Sequence, residues 1–414
     1  MLSVSEAIDQ ILVGAKRLDS EQVSLMELHG RTAAQDVYAN LTQPPFDASA
    51  MDGYAVRFAD AERGAVLRVV GEAPAGAPLT SAINQGEAAR IFTGGVVPQG
   101  ADHVVIQEHV APLEGSRIAI EVAQDAPRNI RQSGVDFKKG DTLLRAGETF
   151  NAVHGSILAA ANFPTATCTR QPKVCLFSNG NELKEPGADL KPGEIINSNA
   201  YALTALMRLW GATVYYLGCA PDDKGAITDF FNRSADADIV IPVGGASVGD
   251  HDYVKPAFLD AGGETIFSKV AVRPGKPTWF GHLKSGRVIG LPGNPASAIV
   301  TCTIFVKPLI EALLGRSPLA SGDDLKRTSS SCQGLCVPLS VSIPANGARE
   351  TYIRAQLKRD ESGSLRVTPH PNQDSSLLSP FATCNALIKR APEAAALSNG
   401  DEVEIVLIQP DILI

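Results

Sequence analysis

Glycines, carboxylates and cations in this chain gather where apolar runs end, and that placement points to chemistry on an anionic ligand. Residues 239–253 read Ile-Val-Ile-Pro-Val-Gly-Gly-Ala-Ser-Val-Gly-Asp-His-Asp-Tyr. Val240, Ile241 and Val243 form the short continuous apolar run of a strand covered on both faces. Gly244 and Gly245 let the main chain turn with no side chain in a ligand's way, and successive amides in such a turn can cradle an anion. Asp250 and Asp252 would repel a bare phosphate, so a divalent cation, or a ligand carrying both donors and phosphate, fits the mixture better. A tight connection with solvated acids would leave the same trace. Gly245-Ala-Ser247-Val-Gly249 also matches the G-x-S-x-G elbow of serine hydrolases. Only His251, His282 and His370 follow Ser247, and no HGGG-type oxyanion loop accompanies it, so the hydrolase is the weaker reading.

Other polar turns carry matching chemistry. Arg273 and Lys276 flank a rigid Pro-Gly turn that ends at Pro277, and two fixed cations suit a tetrahedral oxyanion. In Gly290-Leu-Pro292-Gly-Asn294-Pro-Ala-Ser297, Asn294 can cap a helix whose first position is Pro295, leaving amides near Ala296 and Ser297 at the positive end of the dipole. Glu182 and Asp222 lie in the turns Ser178-Asn-Gly-Asn-Glu182 and Ala220-Pro-Asp222-Asp223. Near the N-terminus, Asp47 and Asp52 sit in a stretch from Gln43 to Arg57 too rich in Pro, Asp and Gly for a regular element.

The elements that must position these turns are legible from periodicity. Ser3 and Glu6 have capping-box spacing before a helical face of Ala7, Ile8, Ile11, Leu12, Ala15 and Leu18. From 55 to about 145 short β runs alternate with Gly and Pro turns, including Val66–Val70, Arg90–Thr93, His103–Ile106 and Ile118–Val122. A helix is predicted over 151–161, and Cys168 to Pro172 reads as a linker. From 173 strands and helices alternate: Val174–Phe177, a helix bearing Leu203, Leu206, Met207 and Trp210, then Thr213–Leu217 and the Val240 strand. That pattern is a βαβ series with a parallel sheet, whose ligands collect beyond the C-terminal strand ends, so Glu182, Asp222 and Asp252 are candidates to converge. Short strands return from 327 to 414 and predict a small β-barrel or sandwich. The expected divisions are 1–168, with a mostly β unit at about 55–145, then 169–318 and 327–414.

The totals exclude several classes. With 414 residues, 44% hydrophobic and 20% charged, the composition is that of a multidomain globular protein. A net charge of −8 argues against a broad nucleic-acid surface. Seven scattered cysteines without a CxxC pair are too few for a disulfide framework and point to mostly reduced, buried thiols and to no structural zinc. The start, Met-Leu-Ser-Val-Ser-Glu, lacks the regions of a signal peptide, and the apolar stretch near 296–306 contains Ser297, Thr301 and Thr303 before Lys307-Pro308, so a cytoplasmic, non-membrane protein is expected.

Taken together, the turns resemble those of the MoeA and gephyrin E-domain family, the molybdenum insertases of molybdenum-cofactor biosynthesis. The resemblance runs through nearly the whole chain: Pro45 to Arg57, Thr93-Gly-Gly with Pro98 to Asp102, Asn179 to Leu183, Gly244 to Gly249 with Asp252-Tyr253, Arg273 to Pro277, and Leu291 to Ser297. It departs from the common pattern at Asn179, Val243, Val135 and Asp250. The resemblance implies an α/β multidomain fold, with a doubly wound, mostly parallel central sheet between an N-terminal α+β region with a β insertion and a C-terminal barrel. It implies a Mg²⁺-dependent molybdopterin molybdenumtransferase that takes molybdate and adenylyl-molybdopterin and yields AMP. Glu182, Asp222 and Asp252 would hold the metal. Gly244, Gly245, Ser247, Arg273, Lys276, Pro277, Pro292, Asn294, Ser297, Arg354 and Ser375 would bind substrate, and Asp52, Thr93 and Asp136 would reach the central domain of a second subunit in a homodimer with a shared active site. The upstream adenylyltransferase is an implied partner. An adenylyltransferase of the same fold and a non-catalytic scaffold are the competing functions.

Overall fold

The computed structural model describes residues 1–245, 253–316 and 335–409. The central sheet has the order Thr213–Ala220, Lys173–Asn179, Ile239–Val243, Gly286–Gly290, Trp279–Leu283, Glu264–Phe267. Its first four strands run parallel, and Trp279–Leu283 runs antiparallel to both its neighbours, Gly286–Gly290 and Glu264–Phe267. Alternation along the strands explains why both faces are covered. Val174 and Leu176 join Ile239 and Ile241 in one core with Leu203, Leu206 and Met207, whereas Cys175 and Phe177 join Val240 in a second core with Ile227, Phe231 and Phe258. Each fully buried Ile or Val there contributes about 1.5–3 kcal/mol. The chain moves from Lys173–Asn179 to one neighbouring strand and then to the neighbour on the other side, which opens a crevice at the carboxyl ends of Lys173–Asn179 and Ile239–Val243.

Pro295–Leu314 spans 20 residues and is long and apolar enough to cross a membrane, yet 78% of its most apolar window is buried. It is a core helix of the central domain, packed against the Val4–Leu12 helix through Leu309, Ile310 and Leu313. The first helix carries the capping box expected of Ser3 and Glu6.

Two stretches differ from their sequence reading. Gly53–Val56, inside the segment read as irregular, is an inner strand between Glu87–Ile91 and His103–Ile106. The apolar run Tyr54-Ala-Val56 begins immediately after the turn, and a side chain at Gly53 would strike the Val105 carbonyl. The stretch read as a linker from Cys168 begins within the strand Thr165–Thr169, which pairs with Ser20–Ser24. Arg170 then closes a two-pronged ion pair with Asp238, 2.7 Å on each prong, tying that strand's end to the central sheet.

The C-terminal strands form the expected small barrel. Leu365–Pro369, Glu350–Arg359, Ala386–Arg390, Glu402–Leu407 and Leu335–Pro338 follow one another, and a bridge from Leu339 to Val367 returns to the first of them. Val272–Arg273 of the central segment adds parallel to Glu350–Arg359, so the Pro-Gly turn enters directly from the barrel's sheet. Cys168, Cys175, Cys219, Cys302 and Cys384 are free thiols, while Cys336 is disulfide-bonded.

His103, fully buried in the β unit, accepts the Arg128 N–H at Nδ1 (2.9 Å), so its proton sits on Nε2, which has no partner among the described residues. Desolvation holds its pKa below the usual 6.5. The unfolded chain therefore binds this proton first, and the stability contributed by neutral His103 is present above pH ~6.5 and is lost as pH falls through the folded value. Hydrogen exchange of the 103–106 amides is expected to quicken between pH 7 and 5 beyond the intrinsic trend, and to lose that excess in His103→Gln.

Candidate active site

The crevice at the strand ends is a cleft of about 470 Å³ lined by Ser178, Asn179, Glu182, Gly244, Gly245 and Asn294 among others. The double-glycine turn is forced by geometry. Gly244 has φ +96° and an added Cβ would come within 2.6 Å of the Asn179 carbonyl oxygen; Gly245 has φ +57° and would drive a Cβ into Val254. Ser247 and Asp252, with Asp250, lie outside the described residues.

Glu182 and Asp222 are brought to neighbouring turns. Asp222 accepts the Asn181 N–H (3.1 Å) and returns its own N–H to Asn181 Oδ1 (3.0 Å), which locks the two loops. The Glu182 carboxylate folds over Gly180 and lines the cleft, and no described residue donates to it. Glu182 on the cleft wall, unengaged among the described residues, and Asp222 on the adjoining turn are a donor set that fits a hard cation. Among the described residues no group of three His, Cys, Asp or Glu gathers as a metal site. Cys219, close to both acids, has its thiol pushed up to about 11 by burial and by the charges of Glu185, Glu182 and Asp222.

The cleft wall rests on a polar network that sequence reasoning missed. Ser178 donates to Asn197 Oδ1 (3.0 Å), Asn197 donates to Tyr216 (2.6 Å), and Tyr216 and Tyr201 both donate to Glu185 (2.6 and 2.9 Å). The Tyr216 bond is the main reason the Glu185 carboxyl lies below the usual range. Glu185 follows Glu182 by three residues, so the network fixes the loop that presents Glu182. The one signal in the chain was Asn197-Ser-Asn199 just before an apolar helix, which reads equally well as ordinary capping.

Beside this cleft, and sharing Pro277 with it, lies a larger cavity of about 1040 Å³ between the central domain and the barrel. Arg273, Lys276, Ser297, Arg354 and Ser375 all line it. Arg273 and Lys276 are exposed. Gly275 between them has φ +110°, and an added Cβ would overlap Thr301 Cγ2. Gly275→Ala is accordingly expected to destabilise the chain by about 2 kcal/mol or more through strain and overpacking, read as a lower midpoint in urea unfolding.

Two expectations for this cavity need correction. Asn294 is the helix N-cap ahead of Pro295, but its side chain does not cap; it donates to Ser375 Oγ (3.0 Å), and the Ala296 amide is taken by the Ser375 carbonyl (3.0 Å). The helix end is spent on holding the 372–377 loop, so the Ala296 amide is not free for an anion. Arg354 is 2% exposed and gives its guanidinium to the carbonyls of Asn372, Asp374 and Leu377. Those bonds hold the loop that presents Ser375, which makes Arg354 a positioning residue in this arrangement. Pro292 lines the smaller cleft.

Asp52 and Thr93 are joined: Thr93 donates its N–H and its hydroxyl to Asp52 Oδ1, both at 2.8 Å. These bonds hold the Asp52 carboxyl below the usual carboxylate range, with Arg90 assisting. Asp136 is exposed on a loop stitched to the same region through Gln43 and Pro44. Among the described residues, none before Ser178 lines either cavity. The chain alone therefore leaves Asp52, Thr93 and Asp136 outside the cleft of Glu182 and Asp222.

A doubly wound domain with a glycine-lined cleft, flanked by a cationic cavity against a small barrel, is the class of architecture the chain presents. Residues 2–162 match the MoeA N-terminal region (domain I and II), 175–312 a family described as a probable molybdopterin binding domain, and 337–408 the MoeA C-terminal region (domain IV). The chain is 34% identical to the molybdopterin molybdenumtransferase of Haemophilus influenzae over 93% of each chain. It is 38% identical to that of a Nostoc species over 86% of this chain and 82% of the relative. A molybdopterin biosynthesis MoeA protein from Pyrococcus horikoshii superposes with a TM-score of 0.76 at 27% identity, over 98% of this chain and all of that one. The chain belongs to the MoeA family, that of the molybdopterin molybdenumtransferases.

Proposed function

We propose that this chain inserts molybdate into adenylyl-molybdopterin, releasing AMP and molybdenum-loaded molybdopterin. The observation that carries the reading is the adjacency of two differently built compartments. A glycine-lined cleft carrying Glu182, with Asp222 on the adjoining turn, suits a phosphorylated pterin with a bound cation, and a cationic cavity that shares Pro277 with it suits an oxyanion. Glu182 and Asp222, with Asp252, would hold Mg²⁺, which when bound offsets charge on the phosphates. Arg273 and Lys276 attract the dianion and Ser297 and Ser375 offer hydroxyl donors. Asp52 with Thr93, and Asp136, belong to this reading as groups supplied by a second copy of the chain, since they stand outside the cleft of their own. A cytoplasmic setting and supply of substrate by an adenylyltransferase fit the same reading.

The direct test is incubation of the purified chain with adenylyl-molybdopterin, molybdate and Mg²⁺, following AMP. Molybdate-dependent AMP release is expected. An adenylyltransferase would instead consume ATP and release pyrophosphate, and that outcome would replace the proposal.

A further inference from the structure

The double-glycine turn of the cleft leaves room over a single residue. Asn179 ends the strand Lys173–Asn179, is 6% exposed, and has an oxygen facing each of the two glycines. An added Cβ at Gly244 would stand 2.6 Å from its main-chain carbonyl oxygen, and one at Gly245 would stand 2.8 Å from its side-chain Oδ1. Glycine at 245 therefore keeps Oδ1 uncovered.

The orientation of the Asn179 amide follows from its neighbours. Nδ2 lies against two main-chain carbonyls, those of Ala220 (3.3 Å) and Pro221 (3.4 Å), and only the nitrogen can donate to them. Oδ1 is then turned to the cleft, which Asn179 lines, and it accepts no hydrogen bond among the described residues. Other asparagines on this wall differ. Asn197 accepts the Ser178 hydroxyl and donates to Tyr216, so both its ends are taken. Asn199 donates to the Gly293 carbonyl (2.6 Å), and its own oxygen is enclosed where no ligand reaches it. A largely buried acceptor without a donor is unfavourable, and a bound donor relieves it.

We infer that Asn179 is a specificity-determining residue that accepts, at Oδ1, an N–H or O–H of the ligand seated over the double-glycine turn. A phosphate oxygen has no hydrogen to give at neutral pH, and two acceptors in contact leave both unsatisfied, so the phosphates are turned away from this point. The matching groups are the ring N–H or amine of a heterocycle and the hydroxyl of a sugar, which the pterin and the adenylyl part both carry. Asn179 also joins the two acid-bearing turns, since Nδ2 holds the carbonyl just before Asp222 and Glu182 follows three residues on. The inference rests on the reading of this cleft as the pterin and nucleotide site. Its test reads binding and not turnover, so a chain that binds the probes without releasing AMP would fail that reading and not this one.

The test is titration of the full chain at neutral pH with pterin and, separately, with adenosine, both uncharged there, using wild type, Asn179→Asp and Asn179→Leu. Both substitutions remove the Nδ2 donor, and only the aspartate keeps an oxygen at the position of Oδ1. Folding of each variant is checked by circular dichroism, and Asn179→Ala replaces Asn179→Leu if the larger apolar side chain is not tolerated. Asn179→Leu is expected to bind one probe about tenfold more weakly and the other within about twofold of wild type, whereas Asn179→Asp stays within about threefold for both. Weakened pterin would make the pterin ring the source of the donor, and weakened adenosine would make it the adenylyl part. Equal weakening in Asn179→Asp and Asn179→Leu would overturn the inference, because holding the Ala220–Pro221 turn is the role that both substitutions remove. Wild-type affinity for both probes in folded Asn179→Leu would overturn it as well, and a lowered Mn²⁺ affinity in that variant would then make the oxygen a cation ligand instead.

Discussion

Asp52→Asn and Glu182→Gln chains, each expected to be inactive alone, should recover activity when their subunits are mixed and allowed to exchange. Glu182 lines the cleft with a carboxylate that no described residue engages, whereas Asp52 is held by Thr93 in a region that lines neither cavity of its own chain. A homodimer that places Asp52 of one subunit at the cleft of the other resolves the separation. In a mixed dimer one site then pairs wild-type Asp52 with wild-type Glu182 and the other site carries both defects. Random pairing makes about half the dimers mixed, so roughly a quarter of wild-type AMP release should return. If Asp52 acts within its own chain, each site keeps one defect and nothing returns. With exchange verified by mass, zero recovery would refute the shared site. The Glu182→Gln parent also isolates the metal: removing an anionic ligand weakens a Mg²⁺ site, so wild-type AMP release by that variant at saturating Mg²⁺ would discard the metal assignment.

The parts of this arrangement that could be read from the chain are those governed by local periodicity. Ile239–Val243 announces a doubly covered strand because its alternate residues enter two different cores, and the glycines after it announce a turn because no other residue adopts their geometry there. Ser3 and Glu6 announce a helix start by direct side-chain contact. Arg354 enters as a substrate contact through the family resemblance alone, which carries a residue type and not the acceptors that consume its charge; the three carbonyls come from a loop some twenty residues on. The same limit hid Arg390 as a lining residue of the larger cavity. It lies in one row with Thr351 and Arg273 through two strand pairings, between segments 39 and 78 residues apart in the chain, which no local pattern encodes. Gly53–Val56 was obscured for a third reason: the Asp-Gly that signals a turn runs into its first residue, and four residues are too few to display a period.

Lys276→Ala and Arg273→Ala are expected to raise the molybdate concentration needed for half-maximal activity while leaving pterin binding nearly unchanged. Both side chains are exposed to the larger cavity, and neither takes part in an ion pair among the described residues. Their attraction is thus available to a ligand. The turn between them is held by the Thr278 hydroxyl on the Gly275 carbonyl (2.8 Å), so the loop itself does not depend on either charge. Loss of one charge-assisted contact costs about 1.5–3 kcal/mol, which corresponds to a roughly 10- to 150-fold weaker dependence on molybdate. The pterin cleft meets this turn only at Pro277, which both substitutions retain. The measurement is AMP release against molybdate at fixed adenylyl-molybdopterin, together with pterin affinity by direct titration. Lys276→Arg should recover more function than Lys276→Ala because it restores the charge, whereas a role confined to shaping the turn would leave the two alike. Unchanged molybdate dependence in both alanine variants would remove these cations from the site.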